Sequence, residues 1–492
     1  MDEFALNTGN MGAEKMDYEK YVGEIKRAFL DNEDIAYKDI KIANVPAICI
    51  FQKGVCDLNQ VGQFVLKPIS ELDKLPDKNR ANFLEKNVLS FPDSELTNDV
   101  KVMIEEITKG KAIVLVRGEK DAIVLGVNKY FERSIAEPPT STVLSGPRKG
   151  FVENIYTNVS CIKEILASAD LKVKYLKVGD YTNTDIAIVY ISTVCDKKVV
   201  DEIEKKIKKI KIDGILDSYY IASFLEIKPS SIFKQVGKAE KPDMVCAKLL
   251  EGRVAVVVNG SPIVLTVPFI LLEDLQSGDD YYSNNVKASL IRILRIFSIV
   301  ITLILPGLYV AVQLYHYKLI PLPLIITIIN TTLGLPLSPF AEMLFVLIIF
   351  EILYEASLRM PKYLGIALSV VGALILGDTA VSAGVISPPA VVIVALSGIT
   401  LYTVPDQASQ FIILRFAFTF VGGCFGLFGI ILLTMFIIIY LSDLDIYGSP
   451  YLAPFAPHIS NDFQDAITKK DIINIEKRPK SIKNINSRRL KK

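Results

Sequence analysis

The sequence predicts an α/β soluble N-terminal region of two subdomains followed by an all-α polytopic membrane domain. Two observations predict it. Up to about Leu290 the chain has the mixed, charged texture of a soluble protein. From Phe297 to Leu314 there is no charged residue, and long uncharged runs recur as far as Ser442. A spanning helix needs about 20 largely apolar residues, and several stretches beyond Leu290 approach or exceed that. The overall 51% hydrophobic content and net charge of +1 average over these two textures. With 492 residues, there is room for two or three ordinary domains beside a membrane region.

Composition also excludes. A near-neutral chain has no global pull toward nucleic acid. The cysteines Cys49, Cys56, Cys161, Cys195, Cys246 and Cys424 are scattered without a CxxC pair, and read as free thiols in a reducing compartment. Two histidines, His316 and His458, leave no basis for a histidine metal site or triad. No GxxxxGKS/T, GxSxG or HExxH motif occurs, and no GxGxxG follows a strand. Neither an enzyme nor a cofactor is expected. Met1-Asp2-Glu3-Phe4 lacks the basic region and apolar core of a signal peptide, so the soluble half is expected to stay on the side of synthesis.

Residues 1–17 are read as disordered. Subdomain 1, over 18–135, opens with a helix from Tyr18 to Phe29 that places Tyr21, Ile25 and Phe29 on one face. Val45 to Phe51 reads as a buried strand, and a helix follows near Asn98 to Ile107. Lys111 to Val116 and Asp121 to Gly126 form a hairpin around Arg117-Gly118-Glu119-Lys120. A linker covers 136–150. Within it, Gly146-Pro147-Arg148-Lys149-Gly150 reads as a turn with Arg148 in a structural ion pair, anion binding being the alternative. Subdomain 2, over 151–290, has a helix from Asn154 to Ala167 and strands at Val173–Val178 and Ile186–Ser192. A basic amphipathic helix from Lys197 to Lys211 turns Val200, Ile203, Ile207 and Ile210 to one side. Its lysines, Lys205-Lys206 and Lys208-Lys209, read as a solvated face, a surface that approaches lipid headgroups being the alternative. Strands at Arg253–Asn259 and Pro262–Pro268 flank Gly260-Ser261.

The membrane domain is placed at 291–443 and a basic cytoplasmic tail at 444–492. Ile296 to Leu314 and Phe416 to Ser442 are long enough to span, each as one helix. Phe340 to Leu358 is helical but carries Glu342, Glu351 and Glu355; Tyr363 to Gly377 is clean but short. Leu319 to Leu337 is broken by prolines, and Ala390 to Val404 follows Pro388-Pro389; both read as interfacial, re-entrant or half-length pieces. From Pro457 the tail holds ten Lys/Arg against four Asp/Glu. Together with Lys287, Arg292 and Arg295 this places both flanks inside, so the number of crossings is even. Four crossings also keep Arg359 and Lys362 inside and are the reading adopted.

Two features of this region could carry function. Gly365, Ser369 and Gly372 share one helical face, joined by Ala373 and Leu376. Close helix packing is one reading; a narrow pore lining in an oligomer is the other. Glu351, Glu355 and Arg359 form an i, i+4 ladder, with Glu342 one turn into the same helix. Ionisable groups at this depth need partners or water. Glu355 can pair with Arg359, and Glu351 can pair with Arg415 of another span. The alternative is a cation-attracting vestibule.

Several blocks resemble one family. They are Ser90-Phe91-Pro92, the run Pro138 to Glu153 with Thr157-Asn158, and Pro339-Phe340-Ala341-Glu342 with Phe350-Glu351 and Glu355-Ala356. Phe425-Gly426-Leu427-Phe428-Gly429 and Gly448 to Pro457 complete them. In this order around a membrane core, the chain resembles the A subunit of the spore germinant receptors, the GerA family, over about Asp17 to Lys480. The resemblance marks Gly146, Pro147, Arg148, Gly150, Phe151, Pro450, Tyr451, Pro454, Phe455 and Pro457 as structural motif residues. Lys149 stands where an acid is common, and the tail is longer and more basic than the family pattern. The resemblance implies the spore inner membrane, with both termini cytoplasmic. It also implies a transporter-like B subunit and a lipoprotein C subunit as partners, and self-association into a ring that conducts cations during germination. A stand-alone secondary transporter, suggested by the proline-broken apolar segments, and a pore-less scaffold are the alternatives.

Overall fold

The computed structural model describes residues 18–89, 91–127, 146–359 and 377–490. A helix over 18–28, α1, leads into β1 (Ile35–Ile42) and β2 (Val45–Gln52). Short helical segments fill 58–70 and 80–88 before β3 (Ser94–Thr97). Then come α2 (Val100–Thr108), β4 (Ala112–Val116) and β5 (Ala122–Leu125). The strands pair antiparallel in the order β1-β2-β4-β5-β3. Ile48, Ile50, Ile113 and Leu115 pack on α1 and α2, while Ala47, Cys49, Val114 and Val116 pack on the 58–88 helices. Both faces are covered. That is why the central strands read as unbroken apolar runs instead of alternating.

Subdomain 2 repeats this plan. α3 (Ile155–Ile165) precedes β6 (Leu171–Val178) and β7 (Thr184–Ile191). α4 (Lys197–Lys208) and α5 (Ser218–Leu225) stand where 58–88 stood. β8 (Gly237–Ala239), α6 (Pro242–Leu250), β9 (Val254–Val258) and β10 (Val264–Val267) complete it. The order β6-β7-β9-β10-β8 is that of the first sheet. The chain carries traces of the duplication. Val55-Cys56-Asp57 and Val194-Cys195-Asp196 both follow the second strand, and each aspartate caps the next helix by accepting backbone N–H groups. Gly110 and Gly118, then Gly252 and Gly260, flank β4 and β9 at equal spacing, all at positive φ.

The subdomains are joined edge to helix. Glu33 N–H donates to Val173 O at 3.3 Å, and Lys172 Nζ to Ala28 O at 2.7 Å. Lys163 of α3 pairs with Asp34, both buried.

The helical half contains α7 (Asn285–Tyr315), α8 (Leu322–Thr332), α9 (Pro339–Arg359), α10 (Pro388–Leu401) and α11 (Ala408–Asp443). Among the described residues, α7 and α11 are long and apolar enough to cross a membrane, and only 22% of each apolar window is buried within the protein. A core helix of a soluble protein would be mostly covered.

α11 is not one straight rod. A straight helix of its 36 residues would be about 54 Å long. Yet Gln407, before its start, donates to Asp274 at 2.6 Å. Leu444, after its end, accepts from Tyr451 N–H at 2.9 Å, and Tyr451 O in turn accepts from Leu271 N–H at 2.9 Å. Both ends therefore sit at one short turn, Leu271–Leu275. The reversal is at Gly426, with φ 63° and ψ −151°, a conformation essentially reserved for glycine. A Cβ on Gly429 would approach Val421 O to 3.1 Å, which a straight helix forbids. The expected single span over Phe416–Ser442 is thus two antiparallel arms. α10, with 14 residues, is shorter than a full span, in keeping with its reading as a short piece. It runs from Ser387, which donates its N–H to Glu342, to Leu401, packed with Ile270 and Leu272 of the soluble half. Pro388 and Pro389 open it, where missing N–H groups cost nothing.

Candidate functional site

The most unusual chemistry lies inside the helical half. Arg415, on the outgoing arm of α11, is fully buried. Its Nη2 pairs with Glu351 of α9, 64 residues away in sequence. Nη1 donates to Ser397 Oγ of α10 at 3.2 Å, and Ser397 Oγ donates to Thr302 O of α7 at 3.0 Å. Thr302 Oγ1 continues to Thr400 Oγ1 at 2.8 Å, and Thr419 Oγ1 donates back to Arg415 O at 2.8 Å. The guanidinium also faces the Phe350 ring, 5.7 Å from its centroid. One arginine therefore ties four helices together. A carboxylate, a hydroxyl and an aromatic face offset part of its desolvation, while Nε is buried without a partner among the described residues.

Close packing surrounds this network. A Cβ on Gly307 would lie 2.4 Å from Phe418 O, and one on Gly422 2.5 Å from Gly307 O, so α7 and α11 touch through their backbones. Gly398 and Gly423 make room for Phe350 and Phe340, the aromatics of the α9 blocks. Nine residues before Glu351 on α9, Glu342 is buried and accepts from Ser387 N–H. Glu355 accepts from Arg359 Nε at 2.8 Å on the exposed end of α9. The ladder therefore divides into an interior pair and a surface pair. Gly365, Ser369, Gly372, Ala373 and Leu376 lie outside the described residues. Ser397, Thr302, Thr400 and Ser387 were not singled out from sequence, because a hydroxyl in an apolar helix can satisfy itself on its own backbone and carries no signal.

A second network joins soluble half, helices and tail. Arg292 Nε donates to Asp280 at 3.1 Å and its Nη1 to Asp465 Oδ1 at 2.9 Å. Arg295 Nη1 reaches Asp280 at 2.7 Å, Tyr281 OH reaches Asp465 at 2.9 Å, and Lys469 Nζ donates to Asp280 O at 2.7 Å. Burial would raise the Asp280 carboxyl, but Arg295, the Ser277 N–H and Arg292 outweigh it and hold the group below its usual range. Beside it, Glu273 lies between Arg253, at 3.0 Å, and Lys248, at 2.7 Å. These cations outweigh burial and depress it likewise.

The motif blocks are structural joints. Gly146 presses on Tyr282, where a Cβ would stand 2.5 Å from Cδ2. Pro147 and Arg148 lead on to Lys149, which pairs with Glu164. After Gly150, Phe151 N–H donates to Glu240 O at 2.8 Å and its ring enters the subdomain 2 core. Pro450 pairs with Asp445 in a two-stranded turn. Tyr451 is fully buried against Phe233 and Phe269. Past Pro454, Phe455 packs edge-on against Phe463, which His458, just after Pro457, also covers. The tail is thus folded onto subdomain 2. Among the described residues no cluster of His, Cys, Asp or Glu could hold a metal ion.

Comparison with known proteins bears on this arrangement. The Bacillus/Clostridium GerA spore germination protein family matches residues 23–481. Spore germination protein KA of Bacillus subtilis is 34% identical over 468 residues, covering 94% of this chain and 86% of that protein. Spore germination protein A1 of the same organism is 35% identical over 403 residues, covering 82% and 83%. A solved structure, the N-terminal domain of the A subunit of the Bacillus megaterium spore germinant receptor GerK3, is 25% identical with a TM-score of 0.41, over 51% of this chain and 94% of that one. With nearly its whole length matched, this chain belongs to the GerA family of spore germination proteins.

Proposed function

We propose that this chain is the A subunit of a germinant receptor, seated in the spore inner membrane and joined to transporter-like B and lipoprotein C partners. In this reading its helical half is polytopic. α7, α9, α10 and the two arms of α11 all traverse one layer, and the 363–377 stretch supplies a further crossing. The total is then six, an even number, with the basic flanks and Arg359 on the cytoplasmic side. The reading adopted from Lys and Arg placement is four crossings; the fold-back of α11 at Gly426 and the course of α10, from Ser387 beside Glu342 to Leu401 beside the soluble half, favour six.

The observation that carries the reading is a bare apolar exterior around a closed polar interior, in a chain of this family. The Glu351–Arg415 pair and the Gly307–Gly422 contact leave the described interior packed. A conducting path then has to be lined between copies, which supports an oligomeric cation channel with Gly365, Ser369 and Gly372 facing it. Reconstitution of the purified chain tests this against the alternatives. Salt conductance without substrate dependence is expected; saturable, substrate-selective uptake identifies a transporter, and no flux identifies a scaffold. In spores, Ser369→Leu and Gly372→Leu should block ion release while the receptor still assembles. Unchanged release with normal assembly removes the pore assignment.

A further inference from the structure

One surface of subdomain 2 is unexplained by its own core. α5 and the loops on either side of it leave Leu216, Tyr219, Tyr220, Phe224, Ile227 and Ile232 exposed. Their place in the fold is fixed by three contacts. Tyr447 OH donates to Leu225 O at 2.7 Å. Lys228 Nζ pairs with Asp443, the last residue of α11, at 3.0 Å, and lies 5.5 Å from the centroid of the Tyr440 ring. The stretch therefore stands at the foot of the returning arm of α11. That arm leaves Phe436, Ile438 and Ile439 exposed, so bare apolar surface continues from the arm onto the soluble subdomain.

The chemistry of the stretch changes at that foot. Aliphatic side chains give way to tyrosines and lysines, groups with an apolar body and a polar tip that favour the headgroup layer. Lys206 Nζ donates to Leu225 O at 3.2 Å and holds the end of α4 against α5. There Lys205, Lys208, Lys209 and Lys211 are exposed; the exposed acids nearby are Asp201, Glu202 and Asp213 on the α4 side and Asp443 and Asp445 at the foot of α11, with Asp443 paired to Lys228, while Glu226 within the stretch is half-buried. Lys238 sits 4.8 Å from the Tyr219 ring centroid. A short apolar face, flanked by lysines and level with the end of a lipid-facing helix, fits the interface of an anionic bilayer.

We propose that residues 216–232 form a monotopic contact with the membrane surface, α5 lying in the headgroup layer of anionic lipid beside the foot of α11. The proposal rests on the reading that α11 is in the bilayer, and the test separates the two. The chain contains no tryptophan, so single tryptophans report on one place. The full chain is reconstituted into phosphatidylethanolamine–phosphatidylglycerol vesicles carrying Phe224→Trp, Ile232→Trp, Phe436→Trp or Leu30→Trp, with bromine placed at the headgroup end or deep in the acyl chains. Phe224→Trp and Ile232→Trp should shift to the blue and be quenched by the shallow bromine, and Phe436→Trp should be quenched within the bilayer. Leu30→Trp, on the exposed surface of subdomain 1, should be quenched by neither. Quenching at Phe436→Trp without quenching at Phe224→Trp and Ile232→Trp overturns the contact and leaves the membrane reading intact. A blue shift at Phe224→Trp without bromine quenching means that protein, such as a second copy, covers the face, and also overturns it. Absence of quenching at Phe436→Trp overturns the membrane reading itself, and the contact with it.

Discussion

Arg415 is surrounded on all sides, and its surroundings decide what its removal does. Arg415→Met leaves the largely buried Glu351 without its partner. Breaking a buried pair from one side costs about 3–5 kcal/mol, so the melting temperature of the detergent-solubilised chain should fall sharply. Glu351→Leu combined with Arg415→Met removes both charges and should recover much of that loss. A double variant no more stable than Arg415→Met would show that the pair is not the source of the cost. Gly426→Ala acts differently. It forces an L-residue into the glycine-only region and points a methyl at Tyr315 Cδ2, 3.1 Å away; about 1–3 kcal/mol should be lost, read in the same melts. The ion pair was legible in sequence, since a charge inside an apolar run is conspicuous and its partner must lie at matching depth. The hydroxyls that complete the network were not, because Thr302 and Ser397 fit an apolar helix with or without a partner.

The elements separate by how they announce themselves. Strands covered on both faces, such as Ala112–Val116, show as apolar runs ended by glycine, and hairpins and amphipathic helices show by period. The reversal in α11 has no such mark. Phe425-Gly426-Leu427 carries no polar residue, so hydropathy runs through it and reports one long span. Only tertiary contacts reveal the fold-back. The arms are held where α7 and α11 meet glycine to glycine, and the neighbours of Gly307 are backbone atoms that cannot move aside. Gly307→Val should therefore separate α7 from the outgoing arm, seen as loss of a monodisperse peak in size-exclusion chromatography. A peak as sharp as that of the unaltered chain would show that the contact is dispensable.

For the whole molecule, the duplicated subdomains were hidden for another reason. Their shared signals, Val-Cys-Asp before a helix and paired glycines around one strand, are too sparse to read as a repeat until strand order aligns them. The depressed carboxyls set how the assembled chain responds to acid. Glu273 and Asp280 titrate below their usual ranges when folded, so their contribution is complete above the unfolded values of about 4. It is lost as pH falls from there through the lower folded values. Thermal melts in that acid window should decline steeply, and Glu273→Gln should flatten the decline while lowering stability at neutral pH. An unchanged acid slope would assign the sensitivity elsewhere.

The order of synthesis adds a constraint. Leu444, Ile446, Tyr447 and Tyr451 share one apolar cluster with Ile186, Val256 and Ile203 of subdomain 2, although they emerge from the ribosome after every helix of the other half. α7 through α11 are made while a seam in the globular portion still gapes. A product cut short before Leu444 therefore leaves that seam open, and the apolar side chains of subdomain 2 that these four residues cover stay bare until the last stretch is made.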